Sequence, residues 1–185
     1  MNRRYYLCTN IAVIDMKRAS LIPLLFAFIS CAPAMYNLST SKDIPSSLLS
    51  EKEILVLTPS DGISDGAIVS GSGSKLASKV YYYLNTKDCE VVLDEDHNTI
   101  KKIDESELQK YDYVVVPAIV SWEDNATAWS GKPDKLVFSI EIYDKDKKKV
   151  ASGNIDAKST NTTIVENDPS ELIDKPLSEF INKLF

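Results

Sequence analysis

The sequence predicts a single α/β sandwich domain with a mixed sheet of about five strands. Short apolar runs at residues 53–58, 89–93 and 113–120 predict the first three strands. A segment with apolar residues at helical spacing lies between the first two runs. Strict alternation of apolar and polar residues begins at Leu136. The predicted order of elements over residues 51–185 is β-α-β-(α)-β-β-β-α.

The first strand is expected to end at Pro59. A long loop over residues 59–74 is predicted because Asp-Gly pairs and a Gly-Ser-Gly sequence supply turn residues. A helix follows, since four apolar side chains recur at helical spacing and form one stripe. These residues are Leu76, Val80, Tyr83 and Leu84.

The third strand is preceded by a pattern, Asp104-x-x-Glu107, that resembles a capping box and predicts a short helix. Pro117 lies inside this strand and lacks an amide hydrogen, so we expect a bulge or a change of partner there. Two right-handed crossovers would make the first three strands parallel.

The alternating segment predicts a half-buried antiparallel strand, with Leu136, Phe138, Ile140 and Ile142 on its inner face. Residues 150–158 return as its hairpin partner. The complete arrangement is similar to the TolB N-terminal-like and curli-secretion-like periplasmic domains, which is an analogy of fold alone.

A final helix is predicted by Asp168 as its N-cap, Pro169 in its first position and Glu171 completing a capping box. Pro176 is expected to kink or restart it. Its apolar stripe is Ile173, Leu177, Phe180, Ile181 and Leu184.

The composition is that of an ordinary globular protein, with 44% hydrophobic and 26% charged residues in a chain of 185. The net charge is −6; residues 1–30 hold four basic and one acidic residue, so the remainder carries 17 basic against 26 acidic groups, or −9. This acidity argues against nucleic acid as a partner.

The first thirty residues contain a pattern typical of an export signal. Residues 16–20 are basic, residues 21–29 are apolar, and a small residue, Ser30, ends the segment. The apolar run is far shorter than the roughly 20 residues of a spanning helix. We therefore predict a signal peptide over residues 16–30, preceded by a misassigned upstream extension at residues 1–15.

The small residue followed by Cys31 resembles the lipobox of bacterial lipoproteins, although Phe28 departs from the usual Leu. The resemblance implies that the Cys31 thiol is acylated and that Cys31 becomes the new N-terminus. Ala32, in place of Asp, implies an outer-membrane anchor facing the periplasm. The alternatives are an ordinary secretory signal or an uncleaved apolar anchor. Residues 31–50, rich in Ser, Thr and Pro, are predicted to be a flexible tether.

Aromatic, acidic and hydroxyl side chains follow the third strand and form the candidate binding loop. They are Trp122, Glu123, Asp124, Thr127, Trp129 and Ser130. Together with the loop at residues 59–74, they are expected at the carboxyl edge of the sheet, where open α/β sheets bind ligands. The alternative is that both tryptophans fold back over the core and that Asp124 caps a turn.

The same loop carries a resemblance to a family. The sequence Trp122-Glu-Asp-x-Ala-Thr-x-Trp129-Ser-Gly-Lys-Pro-Asp134 resembles an uncharacterised family of Gram-negative lipoproteins, known only as a domain of unknown function. The likeness covers residues 51–185. It implies a fold and a location in the envelope, and it supplies no catalytic residue.

Other motifs fail on inspection. Gly66 and Gly71 have P-loop spacing, but Ser72 stands where the motif requires Lys. The acidic turn around His97 resembles a calcium loop, yet Thr99 replaces its turn glycine. One histidine and one free cysteine do not supply the usual metal-ligand sets. The sequence therefore predicts no cofactor, no metal site and no catalytic residues.

Two functions remain. The first is a non-catalytic interaction module, anchored to the membrane through Cys31, that binds an envelope protein or a glycan. The second is a small-ligand or glycan-binding protein, or an unrecognised enzyme, with a cleft at the carboxyl edge. A pocket of several hundred Å³ between the two loops would favour the second, and a flat apolar surface would favour the first.

The anchor gives a first prediction. Intact-mass analysis of membrane-extracted protein should show residues 31–185 plus acyl chains. Cys31→Ser should abolish acylation because it removes the acceptor thiol, whereas Cys8→Ser should leave the mass unchanged because Cys8 leaves with the leader. Soluble, unacylated wild-type protein with another N-terminus would contradict the assignment.

Overall fold

The computed structural model describes residues 34–125, 131–160 and 168–185. In chain order its elements are β1 (Met35–Thr40), β2 (Glu53–Leu57), β3 (Ile63–Ser64), β4 (Ala67–Ile68), α1 (Ser72–Asn85), β5 (Glu90–Asp94), α2 (Glu105–Leu108), β6 (Tyr113–Glu123), β7 (Lys135–Asp144), β8 (Lys149–Lys158) and α3 (Asp174–Asn182). Short 3₁₀ helices at Ile100–Lys102 and Pro169–Leu172 precede α2 and α3.

Within these residues six strands form a mixed sheet in the order β1-β8-β7-β6-β2-β5. β2 pairs in parallel with both β5 and β6, whereas β6, β7, β8 and β1 pair antiparallel in succession. The α/β class, the parallel first half and the antiparallel hairpin are thus confirmed. The sheet has one strand more than the five expected.

The additional strand is β1, and it corrects the flexible tether predicted for residues 31–50, of which residues 31–33 lie outside the described residues. Met35–Thr40 pairs with β8 along its whole length, from Met35 opposite Lys158 to Thr40 opposite Gly153. Farther along, Leu49 is completely buried in the main core. Met35–Thr40 belongs to the domain because it pairs with β8 along one edge, and Tyr36, Leu38 and Leu49 pack in or against the main core.

The main core lies between one face of the sheet and the layer formed by α1, α3 and the second 3₁₀ helix. Both predicted helical stripes face it: Leu76, Val80 and Leu84 from α1, with Leu177 and Phe180 from α3, are at most 1% exposed. A smaller core covers the opposite face only beside β2 and β6. It consists of Leu55, Leu57, Ile100, Ile103, Leu108 and Val114.

Strand β6 has two partners at its start and one over the rest of its length. Its pairing with β2 stops at Val115, while its pairing with β7 continues to Glu123. Pro117 remains paired with Ile140 of β7, and the pairing with β2 has already ended two residues before it, so neither a bulge nor a change of partner occurs at the proline itself. The bulge lies farther on, where the register shifts between Ile119 and Ser121.

The C-terminal segment begins as predicted and then departs from the prediction. Asp168 accepts a hydrogen bond from the Ser170 amide at 2.8 Å, but it caps the 3₁₀ helix. The α-helix restarts at Asp174, before Pro176.

The Phe180 ring of α3 lies over Gly153, where an added β-carbon would come within 2.7 Å of the ring. Helix and sheet therefore approach closely only because residue 153 has no side chain.

This contact gives the second prediction. Gly153→Ala should lower the free energy of unfolding by about 1–3 kcal/mol through overpacking. Phe180→Ala should lower it by about 3–5 kcal/mol through a cavity. Urea titrations measure both effects. Tyr82→Ala is the matched control, because Tyr82 is 63% exposed on α1. Equal stabilities for all three variants would contradict the proposed packing.

Candidate functional site

The loop after β2 packs against the last residues of β6, the strand from which the second candidate loop follows. Gly62, in the loop after β2, lies so close to β6 that an added β-carbon would be 3.0 Å from Ile119 Cγ2 and 3.1 Å from Trp122 Cβ. The loop is thus packed directly on the strand at this point. Among the described residues, no space for a ligand remains between Gly62 and the side chains of Ile119 and Trp122.

The loop after β2 contains a small hairpin. Ile63 of β3 pairs with Ile68 of β4, and Asp65 and Gly66 between the strands have positive φ angles of 48° and 81°. Both angles suit a two-residue primed turn, for which Asp-Gly is a favoured sequence. The hairpin lies against β6 and holds Ile63 and Ile68 61% and 73% exposed.

The glycine-rich start of α1 is occupied by the chain itself. Asp61 accepts hydrogen bonds from the Gly73 amide at 2.8 Å and from the Gly71 amide at 3.1 Å. The buried Ser72 hydroxyl accepts one from the Gly62 amide at 2.8 Å. The Asp61 carboxylate therefore occupies the position at which a phosphate-binding loop would hold its anion, so this loop is not arranged as a P-loop.

The six candidate residues of the binding loop fall into three groups. Trp122 belongs to β6, and its side chain is only 1% exposed in the main core. Its assignment to a binding loop is therefore corrected: it folds into the core, as the alternative proposed. Glu123 and Asp124 are exposed at the end of the strand. The other three candidates, Thr127, Trp129 and Ser130, lie outside the described residues.

Asp134 is a structural residue for which the sequence analysis gave no role. It is 1% exposed, and its carboxylate accepts a hydrogen bond from the Asn125 amide at 2.9 Å. The Asp134 amide donates to Ser159 Oγ at 2.9 Å, and the Asn125 side chain donates to the Pro133 carbonyl at 2.7 Å. These bonds join the end of β6 to the segments that precede β7 and follow β8.

The acidic turn after β5 is organised by Asp94. Its carboxylate accepts from the amides of Asp96 and His97 and lies 2.8 Å from His97 Nδ1. Burial opposes ionisation, but the hydrogen bonds from His97 and the two amides outweigh it and lower the pKa of Asp94. Within the described ranges, no group of three or more His, Cys, Asp or Glu side chains is arranged to hold a metal ion.

A polar groove of about 320 Å³ runs along the ends of β2 and β5. Thr58 Oγ1 donates to the Asp94 carbonyl at 2.8 Å, and the Asn98 amide group donates to Ser60 Oγ at 2.9 Å. Asp61 and His97 also line it. The groove thus presents carboxylate, amide, imidazole and hydroxyl groups, a set suited to a polar ligand.

Four of the six large apolar side chains that are exposed among the described residues lie at one end of the sheet, which we call the apolar end: Met35, Ile63, Ile68 and Val120, which are 61–73% exposed. Met35 lies in a row across the sheet with Lys158, Lys135 and Glu123. This row lies at the end of the sheet where β6 ends and where the β3–β4 hairpin packs. The helices of the described residues include none long and apolar enough to cross a membrane.

Comparisons with known proteins identify a family and a fold. A family model described as "Domain of unknown function (DUF4823)" matches residues 46–184. The sequence matches none of the curated proteins with which it was compared. The fold is similar to the PelC dodecamer from Paraburkholderia phytofirmans, with a TM-score of 0.59 and 16% identity over 78% of this chain and 96% of that chain. A dodecamer of a single-substitution variant of PelC from the same organism gives 0.62 and 12% identity over 80% and 98%. The neighbours are therefore PelC-like, and the analogy to TolB and curli-secretion domains gains no support from them.

The Asp61 contacts give the third prediction. Asp61→Ala should lower the free energy of unfolding by about 1–2 kcal/mol, because amide groups at the start of α1 lose their acceptor. Asp146→Ala, at an exposed turn position, should change it by less than about 0.5 kcal/mol. Denaturant unfolding measures both. Equal midpoints for the two variants would show that Asp61 does not hold the loop.

Proposed function

The chain belongs to the DUF4823 family, whose description assigns no activity, and from this premise we propose that it is a non-catalytic, lipid-anchored interaction module of the cell envelope. Acylated Cys31 holds it on the outer membrane, facing the periplasm. The apolar end is its contact surface. The observation that carries this proposal is the exposure of Ile63, Ile68 and Val120 on contacting elements at one end of the sheet.

The anchor is supported by the order of residues before Cys31, with a basic segment, an apolar run and a small residue. Two kinds of acyl linkage at one cysteine, a diacylglycerol thioether and an amide, provide the multiple chains that stable attachment needs. The family match also begins after this segment, at residue 46.

The contact surface has the composition of an interface. Ile63, Ile68 and Val120 provide an apolar centre, and the exposed carboxylates of Glu123 and Asp124 lie beside it. Protein interfaces commonly combine an apolar centre with a polar rim. One partner that fits is a second copy of this chain, since the two PelC structures of similar fold are described as dodecamers.

The non-catalytic part of the proposal draws on the contacts of His97, the sole histidine of the sequence. Its ring contacts Asp94 of its own turn, and Asp94 is engaged in turn formation. The nearby hydroxyl groups of Thr58 and Ser60 take part in hydrogen bonds that join the turn to the loop after β2. These contacts account for the polar groups of the groove structurally.

The second candidate is a small-ligand or glycan-binding protein. The specific observation in its favour is the polar groove, whose volume of about 320 Å³ lies in the range of ligand pockets, about 300–1,000 Å³. A soluble glycan or polar metabolite that binds there should lose affinity in Asn98→Ala, while Val120→Ser should bind it normally.

A photo-crosslinking experiment in intact cells gives the fourth prediction. A photoreactive residue at position 68 or 120 should capture an envelope component, because both side chains are exposed at the apolar end. The same residue at Tyr82, 63% exposed on α1, is the matched control. Capture at all three positions alike, or at none, would contradict the proposal. Light scattering of the purified protein reports separately whether copies associate.

A further inference from the structure

We propose that the partner of the apolar end is the phospholipid surface of the membrane in which the protein is anchored. The inference rests on the proposed acylation of Cys31 and gives the contact surface a specific occupant. The domain then rests directly on the bilayer with one end of its sheet.

The first argument is the length of chain between the anchor and the fold. β1 begins at Met35, four residues after Cys31. Four residues span at most about 14 Å when fully extended. The polar region on each side of a bilayer is about 5–8 Å thick. The start of β1 therefore stays within about 14 Å of the acylated Cys31, and this short connection keeps the domain close to the bilayer.

The second argument is the direction of the sheet at that point. Met35, Lys158, Lys135 and Glu123 form one row across four adjacent strands. The hairpin lies at the same end, because Gly62 packs against Ile119 and Trp122. The corner nearest the anchor and the exposed hairpin thus belong to one end of the molecule.

The third argument is the chemistry of this end. Six large apolar side chains of the described residues are 47–73% exposed, and four of them form the apolar end. The other two, Tyr82 and Val92, lie on α1 and on the outer strand β5. Interfacial proteins bury such side chains about 5–10 Å into the boundary between headgroups and acyl chains. Lys158, beside Met35, has an apolar stem and an ammonium group that suit the same boundary.

Acidic groups limit the kind of contact. Glu123 is exposed at this end, Asp65 lies in the turn of the hairpin, and the chain after residue 30 carries a net charge of −9. Electrostatic attraction to anionic lipid is therefore unfavourable, and the contact depends on the anchor and the apolar side chains. We expect it to persist at high salt, since screening acts on charges and leaves apolar burial in place.

The test uses the acylated full-length mature protein, with Cys89→Ser, reconstituted into phosphatidylethanolamine and phosphatidylglycerol vesicles. Single cysteines at Ile63, Ile68, Val120 and, as the control, Tyr82 carry an environment-sensitive fluorophore. Tyr82 is as exposed as Ile63 but lies near the far end of α1, which runs back along the sheet. Circular dichroism melting curves confirm that each labelled variant is folded.

Labels at positions 63, 68 and 120 should shift to shorter emission wavelengths and lose intensity with nitroxide-labelled lipids, in low and high salt alike. The label at position 82 should do neither. Identical water-like emission at all four positions in acylated protein would overturn the lipid contact and leave the anchor intact. Shielding that requires added envelope extract would also overturn it, in favour of a protein or glycan partner. Absence of acyl chains by intact mass would overturn the anchor itself.

Discussion

Strand β6 is longer than its parallel neighbour β2, and the rest of the structure depends on this mismatch. Pairing between the two ends at Val56 and Val115, whereas β6 stays paired with β7 to Glu123. Beyond Val115 the loop after β2 packs on β6, where Gly62 closely approaches the side chains of Ile119 and Trp122. The β3–β4 hairpin of this loop lies against the same strand. The apolar end therefore exists because β6 extends beyond β2.

Periodicity predicted most of the fold because most elements are buried on one regular face. The alternation of β7 and the stripes of α1 and α3 depend on local spacing, and all three face the core. β1 was not predicted because Tyr36 and Leu38 are only half-buried on an edge strand, so apolar and polar residues do not alternate clearly in its sequence. The hairpin had a usable signal: Asp65-Gly66 between two isoleucines is a sequence typical of a two-residue turn.

The candidate site was harder to predict because its geometry depends on distant contacts. The register shift between Ile119 and Ser121 interrupts the alternation of buried and exposed residues in β6. Trp122 is buried, but because it directly follows polar Ser121, its local sequence has the pattern of a loop. Asp134 bonds to Ser159, 25 residues away, and no local spacing reveals such a pair. The third strand was expected to end at Val120, where the pattern turns polar, but β6 continues to Glu123; Glu123 and Asp124 are nevertheless exposed, as expected for a binding loop.

The faces of the sheet explain why an end, rather than a face, suits a lipid surface. Beyond the row of Met35, the uncovered face of β1 and β8 presents exposed Asn37, Ser39 and Asn154. Laying this face on a bilayer would remove the hydration of these amide and hydroxyl groups without supplying partners. Contact through the end buries apolar side chains and leaves the polar face in water. The strands then run away from the membrane, and the polar groove, which follows the shorter strands β2 and β5, stays set back from the lipid and accessible to a soluble ligand.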